Sequence, residues 1–127
     1  MNNPSLLNTS NLAFMGDAVY SLLVREKLCE INRPSGKLHS LSVGFVSAAA
    51  QEAAFRIIEP HLTEEETAVF KRGRNRHSGS LPKNADSKTY HIATGVETLF
   101  GWLYLGGNSE RARSLFEIIW SNLNNKP

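Results

Sequence analysis

The chain has 127 residues, of which 41% are hydrophobic and 20% charged, values typical of a globular protein with one domain and one core. A single cysteine, Cys29, excludes an internal disulfide, and the N-terminus lacks the basic start and apolar run of a signal peptide. The longest apolar stretch, residues 92–105, is too short to cross a membrane. These exclusions predict a cytoplasmic protein.

The net charge of +2 is unevenly distributed along the chain. No acidic residue lies between Glu66 and Asp86, whereas the remainder of the chain carries nine basic and twelve acidic residues. The basic residues of this acid-free window are Lys71, Arg72, Arg74, Arg76 and Lys83. A local basic patch of this kind is typical of a protein that binds a nucleic-acid backbone.

Residues 1–10 are predicted to be a flexible N-terminus, with Thr9 or Ser10 capping a first helix over about 11–30. The part of this helix from Leu12 to Val24 is apolar at nearly every helical offset, which predicts a buried helix. Its one charged side chain is Asp17. A buried carboxylate must be paired, bind a metal or lose its charge, because burying it alone costs several kcal/mol.

The middle of the chain contains a capping box, in which Thr63 and Glu66 satisfy each other's backbone amides at the start of a helix. That helix is predicted to end near Gly73 in the C′ position. Residues 74–85 lack periodicity and are predicted to form a basic loop, after which Asp86 caps the next helix. No segment shows strand alternation, so the predicted fold class is all-α.

A second helix, from Ile92 to Leu105, is also apolar on nearly every face and also carries one acid, Glu97. Gly16 and Gly101 lie in the middle of the two apolar helices, where glycine costs about 1 kcal/mol relative to alanine. Close approach of the two backbones would explain both glycines and would bring Asp17 and Glu97 together. Two such acids either bind a hard divalent cation such as Mg²⁺ or are bridged by an arginine.

Two motifs in the sequence resemble those of a known protein family. The stretch Leu12–Ala18, Leu-Ala-Phe-Met-Gly-Asp-Ala, resembles the signature helix of the ribonuclease III family, and Val96–Leu105 is similar to its second acidic helix. Residues 11–123 resemble the catalytic domain of the Mini-III subgroup, which lacks a separate double-stranded-RNA-binding domain, and residues 124–127 form a tail. Further similar positions are Lys71-Arg72-Gly73-Arg74-Asn75, Pro82-Lys83-Asn84, Tyr90 and Ala93-Thr94.

The resemblance implies an all-α homodimer that hydrolyses phosphodiesters in double-stranded RNA and leaves 5′-phosphate ends. The implied substrate is the paired stem of precursor 23S ribosomal RNA. Whether a ribosomal protein assists the reaction is left open. Asp17 and Glu97 are the implied catalytic residues and ligands of Mg²⁺, for which Mn²⁺ could substitute. Thr94 and Tyr90 could support this site from the same helix. The implied RNA-binding residues are Lys71, Arg72, Arg74, Asn75, Arg76, Lys83 and Asn84.

The sequence departs from the family in its number of acids. Classical members carry further acids in both motifs, where this chain has Ser10, Ala13 and Thr94. This loss leaves open a non-catalytic module that binds double-stranded RNA or the ribosome, and a helical interaction protein whose basic loop is simply solvated. Retention of both Asp17 and Glu97 favours the enzyme over the non-catalytic module, and duplex affinity across salt concentrations would decide against the interaction protein.

Overall fold

The computed structural model describes residues 3–76, 87–123 and 126, and in this part of the chain all regular structure is helical, as predicted. Short 3-10 helices span Pro4–Leu6 and Glu59–His61. The α-helices are α1 (Thr9–Cys29), α2 (Ser35–Val46), α3 (Ala48–Ile58), α4 (Glu64–Arg74), α5 (Ser87–Leu105) and α6 (Ser109–Ser121). Asp86, the predicted cap of α5, lies outside the described residues.

Helices α1 and α5 cross at the centre of the molecule with their backbones in contact. A Cβ atom on Gly16 would lie 1.6 Å from the carbonyl oxygen of Glu97, and one on Gly101 would lie 1.9 Å from that of Leu12. Real Cβ atoms never approach a backbone so closely, so both positions require glycine. The predicted close approach at the two glycines is confirmed.

Helix α4 packs on another side of α5 through a second pair of glycines. A Cβ atom on Gly73 would lie 2.3 Å from the Thr98 hydroxyl, and one on Gly95 would lie 2.6 Å from the Phe70 ring. The prediction that Gly73 ends α4 in the C′ position is wrong, because the helix continues to Arg74. Gly73 therefore allows α4 to pack closely on α5 and does not provide a left-handed turn.

Side chains close in sequence to the helix termini cap their free backbone amides. The predicted capping box at α4 is confirmed: the amide of Glu66 donates to the Thr63 hydroxyl at 3.1 Å, and the Glu66 carboxylate accepts from the Thr63 amide at 2.9 Å. Helix α1 is capped by Asn8, whose side chain accepts from the Asn11 amide at 2.8 Å. Neither Thr9 nor Ser10 is the cap, because the helix begins two residues earlier than predicted.

Glu66 also forms an ion pair that no local pattern reveals. Its carboxylate is only 4% exposed and accepts two bonds from the Arg111 guanidinium, at 2.8 and 2.9 Å. Arg111 donates a third bond to the carbonyl of His61, also at 2.8 Å. The Arg111 guanidinium therefore lowers the pKa of Glu66 and joins the start of α6 to the start of α4.

We expect Arg111→Ala to lower the free energy of unfolding by about 1–3 kcal/mol, because it leaves the buried Glu66 carboxylate without its partner. The matched control is Arg113→Ala, whose ion pair with Glu26 is exposed to solvent and should contribute much less. Urea unfolding of both variants measures the difference. Equal losses would contradict the role given to burial.

None of the described helices alone is long and apolar enough to cross a bilayer, although α2 and α3, bent by 62° where they meet, reach that length and composition as a pair.

Candidate metal centre

The α1–α5 crossing places two acids side by side. Gly16, the contact point on α1, precedes Asp17, and the backbone that it touches is that of Glu97. The two carboxyls are close enough to hydrogen-bond when one is protonated. The prediction that Asp17 and Glu97 meet is therefore confirmed by the packing of the two helices.

Asp17 is not buried, which corrects the sequence prediction. Its side chain is exposed at the surface, whereas Glu97 is half-buried beside it. Helix α1 is apolar on most faces, but one face is open to solvent, since Phe14 is 83% and Leu22 45% exposed. A helical pattern with few polar residues does not distinguish a core contact from a surface that another molecule covers.

The pKa of Glu97 is raised to about 7, chiefly by burial and then by the negative charge of Asp17. The amide of Gln51 opposes this rise by donating toward the carboxylate. A carboxyl whose pKa is raised to near neutral by burial and by an adjacent carboxyl is typical of a functional site. The pair has an excess of negative charge that a cation would relieve.

No protein cation supplies that relief within the described residues. The ion pairs found there involve Glu26, Glu52, Glu66 and Glu117, and none includes Asp17 or Glu97. The alternative of an arginine bridging the two acids is therefore not what the described structure contains.

The donor set suits a weakly chelated hard cation. No cluster of three or more His, Cys, Asp or Glu side chains able to bind a metal occurs in the described part of the chain, so the protein would contribute two carboxylates. Mg²⁺ commonly takes one or two carboxylates and completes its octahedron with water and phosphate oxygens. One exposed and one half-buried carboxylate, side by side, fit this pattern.

The raised pKa of Glu97 predicts how stability depends on pH. Because the folded-state pKa of about 7 exceeds the ordinary value of 4.5, this group favours folding below pH 4.5, and the benefit is lost as pH rises through 7. Without divalent metal, we expect the Tm of the wild type to fall between pH 5 and pH 8 more than that of Glu97→Gln. Glu117→Gln, on the exposed face of α6, is the control and should follow the wild type.

Adding Mg²⁺ at pH 8 should raise the Tm of the wild type but not that of Glu97→Gln, because a ligand that binds only the folded state stabilises it. Differential scanning fluorimetry measures both effects. Parallel pH curves for the wild type and Glu97→Gln would contradict the raised pKa.

Sequence reasoning missed Gln51, a polar side chain of α3 that borders the acid pair. It is 3% exposed, and its amide nitrogen donates to the carbonyl of Val46 at 2.9 Å. No charge or motif marks this residue in the sequence. The available signal was a glutamine in the alanine-rich run Ala48–Ala54, at a position that the helical pattern can bury.

The two residues predicted to support the site lie on α5 N-terminal to Glu97. Thr94 is buried, and its hydroxyl donates to the carbonyl of Tyr90 at 3.1 Å within the helix. Tyr90 is half-buried, with its ring edge-on to that of His91. Their proposed support of the site stays a prediction.

The predicted RNA-binding residues fall into three groups. Lys71 and Arg72 are exposed on α4, and Arg72 donates to the carbonyl of Leu7 at 3.3 Å. Arg74, Asn75 and Arg76 lie at the end of the same helix. Lys83 and Asn84 lie outside the described residues.

The end of α4 borders two adjoining polar cavities. One, of about 320 Å³, is lined by Arg74, Asn75, Arg76 and His91. The other, of about 370 Å³, is lined by Arg56, Lys88 and the stacked rings of Phe55 and Phe70, together with one acid, Glu59. His91 precedes Glu97 by six residues, so this basic region lies about 9 Å along the axis of α5 from the acid pair.

An exposed apolar face lies beside the acids. Phe14, Ala18 and Leu22 recur every fourth residue on α1 and are all exposed, and Val43 of α2 is 56% exposed. Side chains four residues apart share one face of a helix, and Asp17 lies next to Ala18 at its edge. A row of large apolar side chains at the surface is typical of an interaction site.

Comparison with known proteins agrees with this geometry. The Ribonuclease III domain family matches residues 10–108. Proteins named Mini-ribonuclease 3 are similar: that of Thermoanaerobacter sp. is 44% identical over 84% of this chain and 76% of its own length, and that of Streptococcus pneumoniae is 44% identical over 87% and 89%. The crystal structure of a Fusobacterium nucleatum protein superposes with a TM-score of 0.84 at 24% identity, covering 95% of this chain and 98% of that one.

Proposed function

Because the chain belongs to the ribonuclease III domain family and is an endoribonuclease of that type, we propose that it cleaves double-stranded RNA with Mg²⁺ bound by Asp17 and Glu97. Mn²⁺ could replace Mg²⁺. The observation that carries the proposal is the contact of these two carboxyls at the glycine crossing of α1 and α5, without a cationic partner among the described residues.

Each acid has a separate part in this proposal. A divalent cation bound there would activate water and offset the charge that develops on the phosphate. Glu97 is fixed by burial and must lose its proton before it can ligate a metal. Asp17 is exposed, so it is open to the RNA phosphate and to solvent. Thr94 and Tyr90 are proposed to support the position of Glu97.

The basic residues of α4 and of the segment after it are proposed to bind the RNA backbone. Double-stranded RNA has a deep, narrow major groove that side chains cannot read, so recognition depends on shape, phosphates and 2′-hydroxyls. Arg74, Asn75 and Arg76 form the part of this surface nearest to α5, and Lys71 continues it along α4. We include Arg72, Lys83 and Asn84 in the same surface.

The exposed face of α1 supports a homodimer. A second copy would cover Phe14, Ala18 and Leu22, and a two-fold axis would make the same patch serve both protomers. Because Asp17 borders this face, each protomer's acid pair would lie close to the dimer interface. A duplex has two antiparallel strands, so each pair could cut one strand.

We expect Phe14→Glu to convert the dimer into a monomer, because it places a charge at the most exposed side chain among Phe14, Leu22 and Val43 of the apolar face. Sedimentation equilibrium measures the mass. Leu6→Glu is the matched control, since Leu6 is also 83% exposed but lies on the short helix before α1. A Phe14→Glu protein that sediments as a dimer would contradict this interface.

We propose the paired stem of precursor 23S ribosomal RNA as the substrate, which would place the enzyme in the cytoplasm. The direct test is incubation with this stem, with an unrelated duplex of equal length and with the corresponding single strands, with and without Mg²⁺. Cleavage of duplexes only, dependent on Mg²⁺ and leaving 5′-phosphates, is the expected result. Equal cleavage of both duplexes would contradict the proposed substrate but not the proposed activity.

A non-catalytic module that binds RNA, the alternative that the small number of acids left open, is disfavoured by membership in this family. It predicts retention of the duplex on a filter without any cleavage at any Mg²⁺ concentration.

A further inference from the structure

One buried polar side chain next to the acid pair has no part in the chemistry described above. Gln51 is 3% exposed and lies on the alanine-rich helix α3. Burying an amide costs free energy unless its hydrogen bonds are made. An unbranched apolar side chain of similar size would fill the same space without that cost.

The orientation of this amide is determined by its surroundings. The nitrogen donates to the carbonyl of Val46 at 2.9 Å, and because a carbonyl oxygen can only accept, the nitrogen end must face it. Val46 is the last residue of α2, so the amide is tied to the backbone just before Ser47, which caps α3. The anchor therefore lies outside the helix that carries Gln51.

The same amide acts on Glu97. The side chain of Gln51 lies beside the Glu97 carboxyl and lowers its pKa, as a nearby amide N–H does. An amide nitrogen has two hydrogens, so it can serve Val46 and Glu97 together. The junction of α2 and α3 is thus connected through one side chain to an acid on α5.

The other end of the amide is unpaired. The carbonyl oxygen of Gln51 is buried and has no hydrogen-bond partner among the described residues. A buried acceptor without a donor lowers stability, so a side chain present for stability alone would not leave one. This cost indicates that Gln51 contributes something other than stability.

We propose that Gln51 is a positioning residue that holds the Glu97 carboxylate toward Asp17 by bridging it to the carbonyl of Val46. The proposal rests on the proposed function, because it gives Gln51 a role only if the two acids bind a metal. Residues that orient metal ligands typically change metal affinity or activity by about 10–100-fold when they are replaced.

The test is Gln51→Met, which keeps the length and the unbranched shape but removes the donor. The affinity for Mn²⁺ alone, measured by electron paramagnetic resonance, should fall by about 10–100-fold. The Mg²⁺ concentration that gives half-maximal cleavage should rise in proportion, while the rate at saturating Mg²⁺ changes less. The Tm should be unchanged or higher, because the unpaired carbonyl oxygen is removed as well.

Thr98→Val is the matched control. Thr98 is buried on α5 and donates to the carbonyl of Thr94 at 2.7 Å, but its side chain meets Gly73 of α4. Thr98→Val removes one buried hydrogen bond but leaves the side chain of Gln51 and its neighbours Val46 and Glu97 unchanged. Its Mn²⁺ affinity should equal that of the wild type.

Three outcomes overturn the proposal. If the wild type binds Mn²⁺ and cleaves duplex RNA but Gln51→Met matches it in both, the inference is wrong and the proposed function stands. If Gln51→Met and a second variant, Gln51→Leu, both fail to fold, Gln51 serves stability. If the wild type neither binds Mn²⁺ nor cleaves RNA, the proposed function fails and the inference with it.

Discussion

Glu97→Gln should bind duplex RNA with the wild-type affinity and cleave it at least about 10³-fold more slowly, since a metal ion contributes several kcal/mol to transition-state stabilisation. Glutamine keeps the size and polarity of the side chain, so the crossing of α1 and α5 is preserved. It cannot supply a negative charge to a cation. The loss should therefore appear in the cleavage rate and not in the affinity for RNA.

The measurement is single-turnover cleavage of an end-labelled duplex, combined with filter binding in Ca²⁺ or without metal. Glu117→Gln makes the same chemical change on the exposed face of α6 and should retain full activity. Asp17→Asn should reproduce the loss seen in Glu97→Gln, because the two carboxylates act as one site. A Glu97→Gln protein that cleaves at the wild-type rate would show that the assigned site is wrong.

The second large effect is expected at the helix crossing. Gly16→Ala should lower the free energy of unfolding by at least about 3 kcal/mol, the upper part of the range for overpacked cores. The added methyl group would lie 1.6 Å from the backbone oxygen of Glu97, and a backbone cannot move aside as a flexible side chain does. For a domain of this size the Tm should fall by roughly 10 °C.

Gly44→Ala is the control for this experiment. Gly44 lies in α2, and a Cβ atom there would meet nothing within 4 Å. Alanine should raise stability at that position by up to about 1 kcal/mol, because it favours the helix over the unfolded chain. The same substitution is thus expected to have opposite signs at two helical glycines. A Gly16→Ala protein as stable as the wild type would contradict the packing.

The metal site requires the same crossing, which links the two predictions. Separating α1 from α5 would move Asp17 away from Glu97, so partly folded Gly16→Ala protein should also lose affinity for Mn²⁺. Glu97→Gln should lose that affinity at full stability. Measuring Tm and Mn²⁺ affinity in both variants separates loss of the site from loss of the fold.

The sequence by itself determined the helical fold class, the capping box at Thr63 and the meeting of Asp17 with Glu97. Each of these follows either from a pattern within one helix or from two helices of the same composition. In a capping box, a hydroxyl and the carboxylate of a glutamate three residues later accept bonds from each other's backbone amides within one helical turn. A glycine in the middle of an apolar helix, at Gly16 and again at Gly101, costs stability unless another backbone lies against it.

Only the tertiary structure decided which apolar side chains are covered and which polar ones are paired. Phe14 is as apolar as any core residue, and periodicity cannot tell that it faces outward. The bond of Arg111 to Glu66 spans 45 residues of chain, and the contact of Gln51 with Glu97 joins two helices. Burial, charge pairing and a carboxyl pKa near 7 depend on distances between segments remote in sequence, and those distances are set by how the helices pack.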